Sequence, residues 1–407
     1  EIRPRDWSSD VCSSDLLSNP AGEATLGTPS AAVLTIVNDD GGPLRPGQLQ
    51  PRATLQFSGD LGISGNSMYN ARYFDGSIYV CQLNSLGIGR YPSGSPTPDM
   101  AVTSDKEHRM LAPFRGANSK TYLLASSGVG ADGFSRFDYN GANRQDAAAL
   151  DAMKVEGFDW VDNDTIIYAV YTSGSRGRLY LADVVAEPFA VNRNTTWNAN
   201  GYITTSVSAR IRNVRVGDVY SGYAYYGDAG KTDNPNFYAV NLATGTETLL
   251  GNAGQLTGSG SFGLWTVVER GGYLYVQTTD NGIQVYQLTD ATTLGPLVAT
   301  YDPATLTAVT GWSGQFWGFD VAADGQSLVL SGGEGFVFEL GQPILSIVKS
   351  GDQAVLSWPN SVFSPSIQPT VGNVLQSSLN LTSPGFADET APVVINGKFN
   401  TVTVPLT

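Results

Sequence analysis

Charged side chains that could do chemistry recur at one kind of position in this sequence. Six hairpin-like segments each join two apolar stretches, and the loop between the stretches often carries an acidic or basic residue. These loop residues are Asp132, Arg176, Asp228, Lys231, Asp233, Asp280 and Glu334. Carboxylates that converge from several loops could bind a cation or act as general acid and general base. We therefore treat these residues as candidates for binding a ligand.

Ordinary turn chemistry also explains the same loops. Asp280-Asn281-Gly282 is typical of a tight hairpin turn, and so is the glycine-rich stretch from Gly332 to Gly335. Both interpretations stay open at the level of sequence. Three or more carboxylates within reach of one metal ion would favour the chemical interpretation.

Four tryptophans fall on or beside predicted strands. They are Trp160, Trp265, Trp312 and Trp317. Trp312 lies in a Gly-Trp-Ser-Gly stretch and joins the candidate ligand-binding residues, because an aromatic ring facing a groove could stack on a sugar. The alternative is that these rings fill space between neighbouring sheets.

Motifs for common catalytic machinery are missing from the sequence. His108 is the single histidine, and no Gly-x-Ser-x-Gly elbow is present. No phosphate-binding Gly-x-Gly-x-x-Gly loop follows a predicted strand. Cys81 lies in an apolar strand pattern, so we predict that it is a small buried hydrophobic residue.

The composition indicates an all-β protein. The chain has 407 residues with 41% hydrophobic and only 15% charged residues, and it contains 47 glycines and 19 tyrosines. Abundant glycine and tyrosine with sparse charge favour strands joined by tight turns. The net charge of −14 argues against a nucleic-acid partner, because an acidic surface repels phosphate. No apolar run approaches the roughly 18 residues of a membrane-spanning helix.

The six hairpins recur at a regular pitch, which predicts a β-propeller. They begin at Asp75, Asn118, Asn163, Ser221, Gly271 and Asp324. A period of about forty to fifty residues with four short strands per unit is typical of propeller blades. We predict a six-bladed propeller over residues 48–341, as a monomer. Seven blades are the alternative, with Asn194–Ser206 as an extra partial unit, and an array of β-sandwiches is less favoured.

The ends of the repeat region predict how the propeller closes. The last hairpin stops at Leu340 and lacks an outermost strand, whereas the strand-like segment Ala53–Ser58 precedes the first blade without a partner. Pairing Ala53–Ser58 with Gly335–Leu340 in the last blade would remove two exposed edges.

Residues 17–40 resemble the tail of a Calx-β domain. The resemblance rests on a Gly-x-Pro-Ser-x-Ala turn, a final strand at Val33–Val37 and an acidic end that includes Asp39 and Asp40. It implies a remnant (residues 17–42) of a secreted, modular bacterial surface protein. The resemblance also makes Asp39 and Asp40 candidate Ca²⁺ ligands. Calcium takes six to eight oxygens, so we expect weak binding at most in this remnant.

Both ends of the chain carry further resemblances. Residues 5–16, with the sequence RDWSSDVCSSDL, resemble a translated sequencing adapter, so we expect residues 1–16 to form an unstructured leader. Residues 344–407 resemble a truncated fibronectin-type-III-like sandwich, on a Leu-Ser-Trp-Pro strand, a Leu-Gln-Ser-Ser-x-Asn-Leu strand and a late Val-Thr-Val strand. The expected architecture is therefore a propeller followed by a partial β-sandwich.

These features favour a non-catalytic binding or adhesion module of a large extracellular or cell-surface protein. One face of the propeller would recognise a glycan or a protein. The alternative is a calcium-dependent propeller hydrolase or lyase, phytase-like or glycan-degrading, which the acidic loops motivate. Convergence of three or more of their carboxylates would distinguish the two.

Overall fold

The computed structural model divides the chain into two compact units. One unit combines Glu1–Gly41 with Pro343–Thr407, and the other is Gly42–Gln342. The structure describes residues 31–34, 43–44, 49–61, 68–82, 87–127, 133–147, 154–171, 177–207, 210–230, 235–253, 266–278, 282–333, 335–341, 345–350, 353–359, 376–377, 387–388, 394–396 and 399–405. Numbered in chain order, β1 (Ala31–Leu34) belongs to the first unit. The second unit begins with β2 (Gln50–Gln56) and the short helix α1 (Phe57–Leu61).

The first three blades of the second unit are antiparallel sheets that follow one another along the chain. Blade 1 contains β3 (Met68–Phe74), β4 (Ser77–Gln82), β5 (Gly87–Pro92) and β6 (Met100–Thr103). Blade 2 contains β7 (His108–Arg115), β8 (Thr121–Ser127), β9 (Phe134–Asp138) and β10 (Gln145–Asp146). Blade 3 contains β11 (Lys154–Trp160), β12 (Thr165–Tyr171), β13 (Arg178–Val185), β14 (Ala190–Asn194) and β15 (Tyr202–Thr204).

Three more four-stranded sheets complete the propeller. Blade 4 contains β16 (Val214–Val216), β17 (Tyr223–Gly227), β18 (Asn236–Asn241) and β19 (Glu247–Asn252). Blade 5 contains β20 (Val267–Arg270), β21 (Tyr273–Gln277), β22 (Ile283–Asp290) and β23 (Thr293–Tyr301), and helix α2 (Pro303–Thr310) follows it. Blade 6 contains β24 (Phe316–Val321), β25 (Ser327–Gly332) and β26 (Phe336–Gly341), with β2 as its outermost strand.

The sheet order confirms the six-bladed propeller and excludes the seven-bladed alternative. The segment proposed as an extra unit belongs to blade 3 instead. There β14 and β15 both pair with β13, and Val184 lies opposite Val191 while Leu179 lies opposite Ile203. A three-residue strand that pairs with an existing blade widens that blade and does not begin another.

The propeller closes as the sequence predicts. β2 pairs antiparallel with β26, so that Thr54 lies opposite Phe338 and Leu55 opposite Val337. The pairing ends at Gln56, two residues before Ser58, the predicted end of the strand. It ends there because α1 begins at Phe57. The first and last parts of the repeat region therefore share one sheet.

Apolar and aromatic side chains fill the space between neighbouring blades. Trp160 of blade 3 stacks on Phe114 of blade 2, with ring centroids 5.3 Å apart. Ala53 and Leu55 of blade 6 pack in one buried cluster with Ile78 of blade 1. Trp160 thus has the space-filling role that was the alternative to ligand stacking.

The other unit contains a five-stranded sheet that combines residues from both ends of the chain. Its strand order is β1, β27 (Leu345–Ser350), β28 (Gln353–Pro359), β32 (Phe399–Pro405) and β31 (Val394–Asn396). A separate pair joins β29 (Gln376–Ser377) to β30 (Ala387–Asp388). β1, taken from the Calx-β-like stretch, pairs antiparallel with β27, a contact that the sequence did not predict.

Deleting residues 1–16 should leave the melting temperature unchanged within about one degree. The leader has neither strand nor helix periodicity, so we expect it to contribute no packing, and it lies outside the described residues. Differential scanning calorimetry of the full and shortened chains measures this. A fall of several degrees would mean that the leader packs against folded structure.

Candidate functional site

Two buried ion pairs span the central channel, which the innermost strand of each blade surrounds. Arg72 of blade 1 contacts Asp159 of blade 3 at 2.7 Å, and Arg215 of blade 4 contacts Asp320 of blade 6 at 2.5 Å. In each pair, the two residues come from blades that are separated by one other blade. Both arginines are 1% exposed. We call Arg72–Asp159 and Arg215–Asp320 the cross-channel pairs.

Backbone groups hold the two carboxylates in the same way. Asp159 accepts the N–H groups of Trp160 and Val216, each at 2.9 Å. Asp320 accepts the N–H groups of Val321 at 2.9 Å and Tyr73 at 3.0 Å. Each carboxylate thus binds its own strand and the innermost strand of the next blade. The cross-channel pairs are therefore built into the framework of the propeller.

Burial raises the pKa of Asp320 above the usual value of an aspartate, although the guanidinium groups of Arg270 and Arg72 act to lower it. Arg270 lies 3.8 Å and Arg72 4.0 Å from the carboxylate, in addition to Arg215. Three cations and two backbone N–H groups oppose this rise, because each of them stabilises the charged form. The carboxylate is fully buried among these groups, so it is poorly placed to exchange a proton with a substrate.

A second buried cluster surrounds Glu156, which precedes Asp159 on the same innermost strand. The Glu156 side chain is fully buried and pairs with Arg109 at 2.5 Å, with Arg212 at 3.3 Å and with Arg210. The sequence predicted neither the cross-channel pairs nor the cluster around Glu156. Their only local signal is a charged residue inside an otherwise apolar strand, as in Val-Glu-Gly-Phe-Asp-Trp at residues 155–160.

Most of the predicted site residues lie outside the described residues. These are Asp39, Asp40, Asp132, Arg176, Lys231, Asp233, Asp280 and Glu334. Asp228 is described and is 3% exposed, and its Oδ1 accepts the Gly230 N–H at 3.0 Å. Among the residues that the structure describes, no three His, Cys, Asp or Glu side chains gather as a metal site would require.

Trp312 is partly buried beside the last blade. Its ring centroid lies 6.2 Å from that of Phe336 and 6.4 Å from that of Phe338. A Cβ on Gly314 would lie 2.4 Å from the indole, so glycine permits this close approach. The ring contributes to packing at this end of blade 6.

A polar groove lies on blade 2 and extends to Glu187 of blade 3. Its volume is about 780 Å³, and it is lined by Lys120, Thr121, Tyr122, Arg136, Asp138, Tyr139, Asn143, Arg144, Gln145 and Glu187. We call it the blade 2–3 groove. Its walls come from turns that join first to second and third to fourth strands, and from residues of those strands. Because adjacent strands are antiparallel, these turns lie at the opposite strand ends from Asp228, the one charged loop candidate among the described residues.

The wall between the two blades is fixed by a network around Glu187. Tyr122 donates its hydroxyl to Glu187 at 2.7 Å, and Arg136 donates to the Ala186 carbonyl at 2.6 Å and to Glu187 at 3.3 Å. The hydrogen bond from Tyr122 lowers the pKa of Glu187, and the Arg136 charge adds to the effect. The Arg136 guanidinium also lies 4.5 Å from the centre of the Tyr122 ring.

The opposite wall is a hydrogen-bonded turn that presents Tyr139. Asp138 accepts the Gly141 N–H through its carbonyl at 2.8 Å and donates its own N–H to Ala142 at 2.9 Å. Gly141 has φ 84°, a conformation that favours glycine. Arg90 lies 4.0 Å from the centre of the Tyr139 ring, and Tyr139 remains 37% exposed. This aromatic side chain is both held in place and accessible.

A second, smaller groove lies at the junction of blades 3 and 4. Its volume is about 480 Å³, and it is lined by Asn198, Asn200, Tyr202, Ile203, Thr204, Ser206, Gly245 and Glu247. Glu247 accepts the Ser206 N–H at 3.1 Å, and Arg178 lies 4.7 Å from the centre of the Tyr202 ring. We call it the blade 3–4 groove.

No protein-family model and no curated protein sequence matches this chain. Among solved structures, the chain is similar to one of a nidogen/laminin complex, with 14% identity over 59% of this chain and 81% of that chain and a TM-score of 0.43. It is also similar to a structure of the Dos1 propeller, with 11% identity over 67% of this chain and 68% of that chain and a TM-score of 0.42. No helix among the described residues is long and apolar enough to cross a membrane.

Proposed function

We propose that this chain is a non-catalytic binding or adhesion module of a larger extracellular or cell-surface protein, and that its propeller recognises a glycan or a protein. The observation that carries the proposal is the blade 2–3 groove. Its volume of about 780 Å³ lies within the range of roughly 300–1,000 Å³ that is usual for ligand sites. The groove is lined by side chains from hydrogen-bonded strands and turns, so little ordering is needed on binding.

The channel carboxylates support a binding role over a hydrolytic one. A general acid or base must reach the proton that it transfers. Asp159, Asp320 and Glu156 are instead at most 6% exposed and are engaged by arginines. Their arrangement favours a rigid scaffold that presents surface grooves.

The proposal is tested by binding without turnover. The full chain is immobilised and exposed to an oligosaccharide array and to purified extracellular matrix proteins. We expect saturable binding of at least one ligand, with the ligand recovered unchanged. Thr121→Trp, which places an indole in the blade 2–3 groove, should abolish that binding, whereas Lys154→Trp at an exposed site outside both grooves should not. Conversion of the ligand to product would favour the hydrolase or lyase instead.

Calcium should bind this chain poorly, with affinities of about millimolar or weaker. Asp39 and Asp40 supply too few oxygens to replace the hydration shell of the ion. Isothermal titration calorimetry measures this. Micromolar binding that Asp39→Ala abolishes would restore the remnant as a working site. Micromolar binding lost only in Asp228→Ala or Asp233→Ala would point to the propeller and to an enzyme.

A further inference from the structure

We infer that the blade 2–3 groove binds a neutral oligosaccharide, with Tyr139 as the stacking platform for one sugar ring. This inference rests on the proposed function and names the ligand class and the site. Three observations lead to it: the chemistry of the lining, the balance of its charges and the setting of Tyr139.

The lining is polar or phenolic at all ten positions and contains no aliphatic side chain. Peptides and hydrophobic small molecules gain most of their affinity from buried apolar anchors. This groove instead offers hydrogen-bond donors and acceptors side by side. Thr121 and Gln145 are exposed and provide both kinds of group, while Lys120 donates and Glu187 accepts. Sugar hydroxyls, which also donate and accept, match such a surface.

The charged side chains of the lining carry both signs, and most of them lie near a group of opposite charge. Glu187 lies beside Arg136, and Asp138 accepts a hydrogen bond from Asn143 at 2.7 Å. Arg144 contacts two carboxylates outside the lining, those of Asp105 and Asp146. Lys120 acts electrostatically on Glu187. An anionic ligand would meet carboxylates here and a cationic ligand would meet guanidinium and ammonium groups, so a neutral ligand fits best.

Tyr139 is placed to stack on a ring. The Arg90 guanidinium, 4.0 Å from the ring centre, occupies one side, and the Tyr139 hydroxyl hydrogen-bonds that of Tyr79 at 3.0 Å. These contacts fix the ring before a ligand arrives, and Tyr139 remains 37% exposed where it lines the groove. A rigid tyrosine supplies a large contact area at a small entropic cost.

The test uses matched pairs of trisaccharides and isothermal titration calorimetry on the full chain. The neutral probes are cellotriose, galactotriose and N-acetylglucosamine trisaccharide. The charged counterparts of the last two are trigalacturonate and glucosamine trisaccharide. We expect at least one neutral probe to bind, and to bind more tightly than its charged counterpart where it has one. Tyr139→Ala should weaken that binding about tenfold or more. Tyr139→Phe should retain it, and Tyr202→Ala, the same truncation in the blade 3–4 groove, should leave it unchanged.

The opposite results separate this inference from the proposed function. Tighter binding of a charged probe would overturn the inference and leave a glycan-binding module. The same conclusion would follow if Tyr202→Ala weakened trisaccharide binding and Tyr139→Ala had no effect on it. Saturable binding of a matrix protein but of no trisaccharide up to about 10 mM would overturn it and leave a protein-binding module. Failure of every ligand in both experiments would overturn the inference and the proposed function together.

Discussion

Asp159→Asn should destabilise the propeller by about 3–5 kcal/mol, because it leaves the guanidinium of Arg72 buried without its charge partner. Arg72 is 1% exposed, and the nearest other carboxylate, that of Asp320, lies 4.0 Å away. A loss of this size is a large fraction of the roughly 5–15 kcal/mol that stabilises a typical folded domain. Urea unfolding followed by tryptophan fluorescence measures the loss through the shift of the midpoint.

An exposed ion pair on the same propeller provides the matched control. Arg90 and Asp99 are 2.8 Å apart, but the Asp99 side chain is 44% exposed, so Asp99→Asn should cost about 1 kcal/mol or less. The double variant Asp159→Asn with Arg72→Met should recover part of the loss, since no charge is then stranded. Equal effects of Asp159→Asn and Asp99→Asn would show that the cross-channel pair has no special structural role.

The number of blades was predictable because each repeat is a local unit. Each hairpin buries side chains on both of its faces, so its sequence shows apolar strands separated by turn residues. This sequence pattern recurs six times. The closing strand was predictable for a related reason, since an unpaired strand at one end matches a missing strand at the other. The burial of Cys81 was predictable because the residue lies in a locally apolar strand pattern, and Cys81 is fully buried as predicted.

The cross-channel pairs were not predictable, because their partners come from distant repeats. Arg72 and Asp159 are 87 residues apart, and neither belongs to a spacing that marks an ion pair. The circular arrangement of the blades brings the two residues together, and no local sequence pattern encodes that arrangement. The same holds for the five-stranded sheet that joins β1 to β27.

The blade 2–3 groove was missed because its walls look like ordinary turns. Lys120 and Glu187 meet only after two blades have packed, and each turn on its own has a normal turn composition. The acidic residues that the sequence suggested follow second strands, whereas the groove uses turns between first and second strands and between third and fourth strands. A groove made of hydrogen-bonding side chains from several turns leaves no spacing motif, so its recognition requires the structure.

A chain that begins at Phe57 should aggregate, whereas a chain that begins at Leu49 should remain monomeric. Both chains lack β1 and the leader, and they differ only in residues 49–56, which contain β2. Without β2, the edge of β26 exposes unpaired N–H and C=O groups, which promote edge-to-edge association. The buried Glu339 also loses Arg52, which lies 3.6 Å away. Size-exclusion chromatography with light scattering distinguishes the two outcomes.

If the shorter chain proves insoluble, a milder variant still measures how much the contacts of β2 stabilise the propeller. Leu55 is fully buried between blades 6 and 1, so Leu55→Ala should cost about 2–5 kcal/mol in urea unfolding. A synthetic peptide covering β2, added in trans to the chain that begins at Phe57, should restore a monomer by supplying the missing strand. A stable monomer without β2 or the peptide would show that blade 6 needs only three strands. Rescue by the peptide would instead show that β2 acts as a strand, because the peptide restores the sheet without restoring the covalent connection.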